Sequence, residues 1–277
     1  MKADLHSHSS VSDGLLPPAE VAHRAADRGL ALWALTDHDE VAGIAEARAV
    51  AEERGVHFLA GSEISVTWRD DDNFHIVGLG IDPAHAPLVA GLEVIRAGRD
   101  GRARRIAAEL EKAGIHNAYE GAARYAAQSS IISRAHFARF IIEQKIAPDM
   151  KSVFDRYLAK GKPGYVPHQW ASLDDALGWI NGAGGVAVLA HPLRYRVARE
   201  ALHDFLGEFR ERGGAGIEVA CGGHAADEVQ ECARLARRFG FKASIGSDFH
   251  GMGERSLDLG MTPALPGDLT PVWRDLI

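Results

Sequence analysis

Cysteine is scarce in this chain, with only Cys221 and Cys232 among 277 residues. Two thiols cannot make the disulfide framework of a small secreted domain, and they suit a reducing compartment better. Long apolar runs are missing as well. No stretch reaches the roughly 18 residues that a membrane-spanning helix needs, and the opening MKADLHSHSS has no apolar signal core. A cytoplasmic protein with no membrane partner is expected. Positive charge does not predominate either: the formal net charge of −7 disfavours a protein that coats nucleic acid, so no stable nucleic-acid partner is expected. No internal repeat or low-complexity stretch is visible, which leaves no basis for a solenoid or a disordered chain.

What is present is an ordinary globular composition, 46% hydrophobic and 25% charged, in a chain long enough to bury roughly three quarters of its unfolded surface. The charge is uneven. Residues 95–162 carry 14 Lys and Arg against 7 Asp and Glu, a net +7, while the remainder carries −14. Such a block suits an anionic substrate or partner. It is also helical in composition almost throughout, whereas the flanking segments alternate short apolar strands with helices. Strands are expected at 3–5, 31–35, 56–60, 74–81, 186–190, 216–219 and 243–246. Helices are expected at 17–28, 41–54, 173–182, 199–212 and 225–239. Pro17 and Pro18 open the first helix, and Gly29 and Gly55 close the first two. This alternation implies a mostly parallel α/β sheet. Residues 1–94 and 163–277 then form one α/β domain, and 95–162 an inserted helical subdomain that caps the substrate. The proline-punctuated end, from Met261 onward, is expected to pack irregularly on the surface.

Histidine is abundant, with 14 in the chain, and its placement is informative. His6, His8, His38, His191 and His250 fall at or just after the ends of expected strands, and His75 at the start of one. Asp4, Asp13, Asp37, Asp39, Glu63 and Asp248 occupy equivalent places. The C-terminal strand ends of an α/β barrel build its active site. In DLHSHS, His6 and His8 are two apart on an extended segment and so share a face. In TDHD, Thr36 is followed by three ionisable groups whose carboxylates, buried together without a cation, would be strongly destabilising or protonated. Glu63 in GSEIS, His191 in AHP, and Asp248 and His250 in GSDFH complete the pattern. Imidazole and carboxylate ligands without thiolate suit Mn²⁺, Fe²⁺ or Zn²⁺. Nine such ligands exceed the needs of one ion, so two or three divalent ions are expected, Mn²⁺ foremost. Glu63 is the expected bridge, since one carboxylate can offer an oxygen to each of two ions. His23, His57, His85, His116, His168, His203 and His224 lack carboxylates at useful spacing and are left out.

At these residues the sequence resembles the polymerase and histidinol phosphatase (PHP) superfamily. DLHSHSSVSDG, TDHD, GSEIS, FHIVGLGI, AHP and GSDFH stand in family order along nearly the whole chain. The resemblance implies a distorted (β/α)7 barrel. It implies that His6, His8, Glu63 and Asp248 hold one metal, that Glu63 bridges to a second held by His75 and His191, and that Asp13, His38 and His250 hold a third. The stretches ISRAHFA at 132–138 and GKPGYV at 161–166 are similar to the TrpH-like and YciV-like phosphoesterases. Some members of that branch remove the 3′-phosphate of nucleoside 3′,5′-bisphosphates, such as adenosine 3′,5′-bisphosphate, to leave the 5′-monophosphate. Others act as 5′-to-3′ exonucleases on short RNA. The expected substrate is therefore a nucleotide or short oligonucleotide.

The expected chemistry is attack on phosphorus by a metal-generated hydroxide, with Asp13, His38 or His191 protonating the leaving oxygen. Arg134 is the expected phosphate clamp, because a guanidinium fork can grip two phosphate oxygens. Ser133 and His136 would add donors, and Arg194 is a second clamp. Lys162 is a weaker choice. Tyr165, Trp170 and Phe249 offer aromatic faces to a base. Two other readings compete. A non-catalytic PHP module of the kind attached to DNA polymerases would not need all nine ligands. A metal-dependent amidohydrolase commonly uses a modified bridging lysine where this chain has Glu63.

Overall fold

The computed structural model describes residues 1–69, 72–129, 131–254 and 257–277. Among these residues, seven strands form one sheet in chain order: β1 (Ala3–Asp4), β2 (Leu32–Leu35), β3 (His57–Trp68), β4 (Asp72–Leu79), β5 (Val186–Leu189), β6 (Gly216–Cys221) and β7 (Lys242–Gly246). The sheet curls until its edges meet. The Leu5 N–H donates to the Ile245 carbonyl at 2.9 Å, and the chain beyond β1 and β7 stays paired through a parallel Ser7–Phe249 bridge. The product is a nearly closed, distorted (β/α)7 barrel.

Residue alternation explains the closure. In β2, Leu32 and Ala34 point into the barrel with Leu5, Leu59, Val188 and Ile245, while Trp33 and Leu35 point outward to the surrounding helices. Successive side chains of a strand face opposite ways. Both faces are covered here, so all four residues are buried and the strand reads as an unbroken apolar run. The outer layer comes from α1 (Pro18–Asp27), α2 (Ile44–Glu53), α7 (Leu173–Gly182), α8 (Arg199–Glu211) and α9 (Ala226–Phe239). A 3-10 turn at Val272–Asp275 seals the base of the barrel with Val272 and Trp273.

The second half of the hairpin region departs from the mostly parallel expectation. β3 does not stop near residue 60 but runs for 12 residues, and it pairs antiparallel with β4 from Gly61–Leu79 to Trp68–Asp72. β4 is also antiparallel to β5, whereas the other pairings are parallel. The physical reason is that ISVTW continues the buried alternation past Glu63 without a glycine or proline to stop it. Reversal of β4 has a consequence for the site. Its first residues, not its last, lie at the barrel end where the parallel strands finish, so His75 arrives there from a strand start.

The basic block is helical, and it joins the barrel through one long helix. α3 (Ala86–Lys112) is 27 residues long. Its first half packs Leu88, Leu92 and Ile95 into the core around the barrel. Its second half places Ala103, Ile106 and Leu110 in a separate core with Phe137, Ile141, Val153 and Leu158. α4 (Ala118–Tyr125), α5 (Arg134–Glu143) and α6 (Met150–Val153), with a π-helical continuation over Phe154–Leu158, complete that second core.

The barrel seam tolerates no side chain at Gly246. A Cβ there would stand 2.3 Å from the His6 Cβ and 3.0 Å from Glu218 Oε1. Overpacking at such a place costs about 1–3 kcal/mol. Gly246→Ala is therefore expected to lower the unfolding free energy of the metal-free protein by that amount, read as a lower denaturant midpoint. An unchanged midpoint would show that β1 and β7 can separate without cost.

Candidate metal centre

The site is built from strand ends. β1 runs into His6 and His8, β2 into His38, β5 into His191, and β7 into Asp248 and His250, while Glu63 and His75 come from the β3–β4 hairpin. The structure brings all nine residues named from the sequence to one end of the barrel. His6 Nε2 and His8 Nε2 are 3.1 Å apart. Each lies 3.2 Å from Glu63 Oε2, and they lie 3.5 and 3.2 Å from Asp248 Oδ1. Donor atoms bonded to one tetrahedral ion at 2.0–2.1 Å stand roughly 3.3–3.4 Å apart, so this spacing is that of ligands around a cation. The other Glu63 oxygen faces elsewhere: Oε1 is 2.8 Å from His75 Nδ1 and 3.0 Å from His191 Nε2. His250 Nε2 and His38 Nε2 approach Asp13 Oδ1 at 3.3 and 3.9 Å. Three groupings could hold ions: His6–His8–Glu63–Asp248, His8–Asp13–His38–His250 and His38–Glu63–His75.

Burial makes a cation fit. Glu63 has no exposure to solvent. Glu63 Oε2, Asp13 Oδ1 and His38 Nδ1 are buried without a hydrogen-bond partner among the described residues. An unsatisfied buried polar atom costs about 1–3 kcal/mol, more when charged, and coordination removes that cost. Without a cation, protons must do the same work. Burial opposes charge on His8, but the Asp248 and Glu63 carboxylates outweigh it and push its pKa up to about 9. Burial alone would raise Glu63 and Asp13. The imidazoles around them, His38 first in both cases, instead hold these carboxyls well below the usual range. Burial pulls His191 down to about 4.

Three carboxylates at the strand ends have structural partners instead. Asp4 accepts from the backbone N–H groups of Ser247 at 2.9 Å and Gly260 at 2.7 Å. Asp37 accepts from Ser9 N–H, Ser9 Oγ and Ser12 Oγ at 2.6–2.7 Å, pinning the loop that carries Asp13. Asp39 accepts from Ser65 and from the Arg99 guanidinium. Asp39, His191 and Asp248 also hold left-handed backbones, with φ of 50°, 28° and 56°. Strain of this kind, about 1–3 kcal/mol per residue, is held only where surrounding contacts over-determine it.

The residues expected to touch substrate divide. Arg134 lines a pocket beside Asp13, His38, His75 and His250. Ser133 reaches the same pocket, but it also caps α5, accepting from Ala135 N–H at 3.0 Å and donating to Asp13 Oδ2 at 2.8 Å. His136 accepts from Ser133 N–H at 3.1 Å, so it serves the cap of the helix. Arg194 pairs with Asp248 instead of facing the pocket. Of the aromatic residues, Tyr165 and Trp170 line the pocket, while Phe249 is buried in the core.

Residues absent from the sequence reading stand out. Arg102 is nearly buried, lines the pocket, donates to the Val166 carbonyl at 3.2 Å and lies over Trp170. Neither Arg102 nor Arg134 has an acidic partner among the described residues. Burial and the Arg134 and Arg99 charges bring the Arg102 guanidinium down to about 9. Arginines at positions 99 and 102 of a helical run look like solvated surface until α3 is seen to cross the mouth of the barrel. Glu218, in the middle of the apolar strand GIEVAC, was likewise missed; a lone acid in a buried strand was the available signal.

A β/α barrel that gathers imidazoles and carboxylates at one end is the architecture of a metal-dependent hydrolase. The chain belongs to the PHP family: the PHP domain matches residues 4–221. A 3′,5′-nucleoside bisphosphate phosphatase from Chromobacterium violaceum is 53% identical over 273 residues, 99% of this chain and 95% of that protein. A 5′-3′ exoribonuclease from Haemophilus influenzae is 41% identical over 272 residues, 98% of each. Among solved structures, an amidohydrolase from C. violaceum with bound sulfate and no metal aligns with a TM-score of 0.95 at 52% identity, covering 100% of this chain and 96% of that one. This chain is a metal-dependent hydrolase acting on phosphate esters. Glu63 sits at the centre of the candidate ligands, and among the described residues no lysine lines the adjoining pocket.

Two outcomes follow. Glu63→Ala is expected to lose most of its bound divalent cation by elemental analysis, and undiminished metal content would contradict its central place. Cation binding must also displace protons. The interaction that raises His8 contributes fully below about pH 6.5 and is lost as pH rises through about 9. Metal affinity is therefore expected to increase over that window, with proton release at pH 7 by calorimetry in buffers of different ionisation enthalpy. A pH-independent affinity would contradict the cluster's electrostatics.

Proposed function

We propose that this chain removes the 3′-phosphate of nucleoside 3′,5′-bisphosphates, such as adenosine 3′,5′-bisphosphate, giving the nucleoside 5′-monophosphate and phosphate. The observation that carries the reading is a pair of cations without carboxylate partners among the described residues, the buried Arg102 and the half-buried Arg134, in a pocket that opens on the metal ligands. A substrate with one phosphate at the metals and another at these arginines satisfies both ends. Tyr165 and Trp170 in the same pocket offer faces to a base. The relative at 53% identity carries this activity in its name, which supports the same choice.

The nine residues His6, His8, Asp13, His38, Glu63, His75, His191, Asp248 and His250 are our metal ligands, for two or three divalent ions, Mn²⁺ foremost by ligand type. Bound there, such ions lower the pKa of water and neutralise phosphoryl charge. Arg134 and Arg102 orient the substrate. Asp13 and His38 face the pocket and are placed to hand a proton to the leaving oxygen, while His191 is not among the lining residues. Residues 95–162 act as the cap that closes over the nucleotide. Among the described residues no helix is long and apolar enough to cross a membrane, and two buried free thiols suit our reading of a cytoplasmic enzyme.

A second reading, exoribonuclease action on short RNA, draws on the relative at 41% identity. Phosphate release from adenosine 3′,5′-bisphosphate, measured beside nucleotide release from a 5′-phosphorylated dinucleotide, separates the two. We expect the bisphosphate to be turned over far more efficiently; cleavage of the dinucleotide alone would overturn the first reading. Arg102→Ala removes charge-assisted bonds worth about 1.5–3 kcal/mol. It should raise KM for the bisphosphate by roughly 10–150-fold with metal content unchanged. Normal kinetics would remove Arg102 from the substrate site.

A further inference from the structure

The ligand residues His6 and His191 come from opposite sides of the barrel, yet one buried carboxylate holds both. Glu218 projects from β6 with 1% exposure. Its Oε1 lies 2.7 Å from His6 Nδ1, and its Oε2 accepts the backbone N–H of His191 at 2.7 Å. Oε2 also lies 3.3 Å from Cys221 Sγ. His191 is the residue with φ of 28°, ψ of 60°, so this backbone contact falls where the chain is strained.

We propose that Glu218 is a positioning residue that sets the ligand atoms of two metals at once. This rests on the metal centre described above. A carboxylate behind an imidazole fixes which ring nitrogen carries the proton. With Nδ1–H donated to Glu218, the His6 Nε2 lone pair faces Glu63 and Asp248, where an ion would sit. Meanwhile the grip on His191 N–H keeps its unusual backbone, and hence its Nε2, aimed at Glu63 Oε1. One acceptor-only group with two oxygens is needed for both tasks.

That requirement makes Glu218→Gln informative, because glutamine is the same shape with only one acceptor oxygen. If the amide oxygen takes the His191 N–H, the NH₂ faces His6 Nδ1. The imidazole must then accept, and its proton moves to Nε2, where it blocks coordination. If the oxygen takes His6, the NH₂ opposes the His191 N–H and releases the strained turn. In either orientation one ligand is lost. Removing such outer partners typically lowers metal affinity roughly 10–100-fold.

The test is a chelator-competition titration of wild-type, Glu218→Gln and Cys221→Ala protein with Zn²⁺, each checked for folding by circular dichroism. Glu218→Gln is expected to bind Zn²⁺ about 10–100-fold more weakly, while Cys221→Ala, which disturbs the same packing, binds as wild type. Equal affinity in folded Glu218→Gln overturns the proposal, as does an equal loss in Cys221→Ala. Should Glu218→Gln fail to fold, nitrogen-15 histidine spectra of Zn²⁺-loaded wild-type protein decide: the proposal requires His6 protonated at Nδ1, and protonation at Nε2 overturns it. Failure of the wild-type protein to bind any cation would instead remove the metal centre itself.

Discussion

A carboxylate sealed from water among imidazoles governs this structure. Glu63 has no solvent exposure, and the nitrogens of His6, His8, His38, His75 and His191 lie 2.8–3.2 Å from its oxygens. A charge in that position is tolerable only with compensating charge at contact distance. Protons on His6 and His8, which the surrounding carboxylates hold against the opposing effect of burial, supply it in the metal-free protein. In our proposal divalent cations would supply it in the enzyme, and would bring the activation of water and neutralisation of phosphoryl charge that ester hydrolysis needs.

The barrel exists to make that convergence rigid. Strands held by two-sided burial deliver His6, His38, His191 and Asp248 to one end, and the antiparallel hairpin adds Glu63 and His75. Bracing behind these side chains is equally specific. Asp37 secures the Asp13 loop through Ser9 and Ser12. Ser133 ties the N-terminus of α5 to Asp13, and Arg139 reinforces that tie through the Asp13 carbonyl and Glu254. The helices beside the pocket are thereby fastened to a candidate metal ligand, so the pocket wall and the centre form one mechanical unit.

Much of this was legible in the sequence because it is local. The ligand residues follow strand ends in short motifs, so the barrel class and all nine converging side chains could be named from spacing and resemblance. The helix Leu173–Gly182 was placed to the residue because Ser172 caps it and glycines follow it. What escaped was non-local. The reversal of β4 depends on a hairpin whose strands outrun the expected stop. Arg99 and Arg102 gained their role only from the path of α3 across the barrel mouth. Glu218 lies 212 residues from the imidazole it holds, a separation no motif spans. Ser133, His136 and Arg194 show the opposite: their residue types suit phosphate binding, but the structure gives each a protein partner.

Anomalous X-ray diffraction from crystals grown with Mn²⁺ tests the central claim most directly. The account predicts anomalous peaks at two or more positions, with Glu63 contacting at least two of them through different oxygens. Mn²⁺ peaks elsewhere on the molecule, with none beside Glu63 in protein that hydrolyses its substrate, would contradict it.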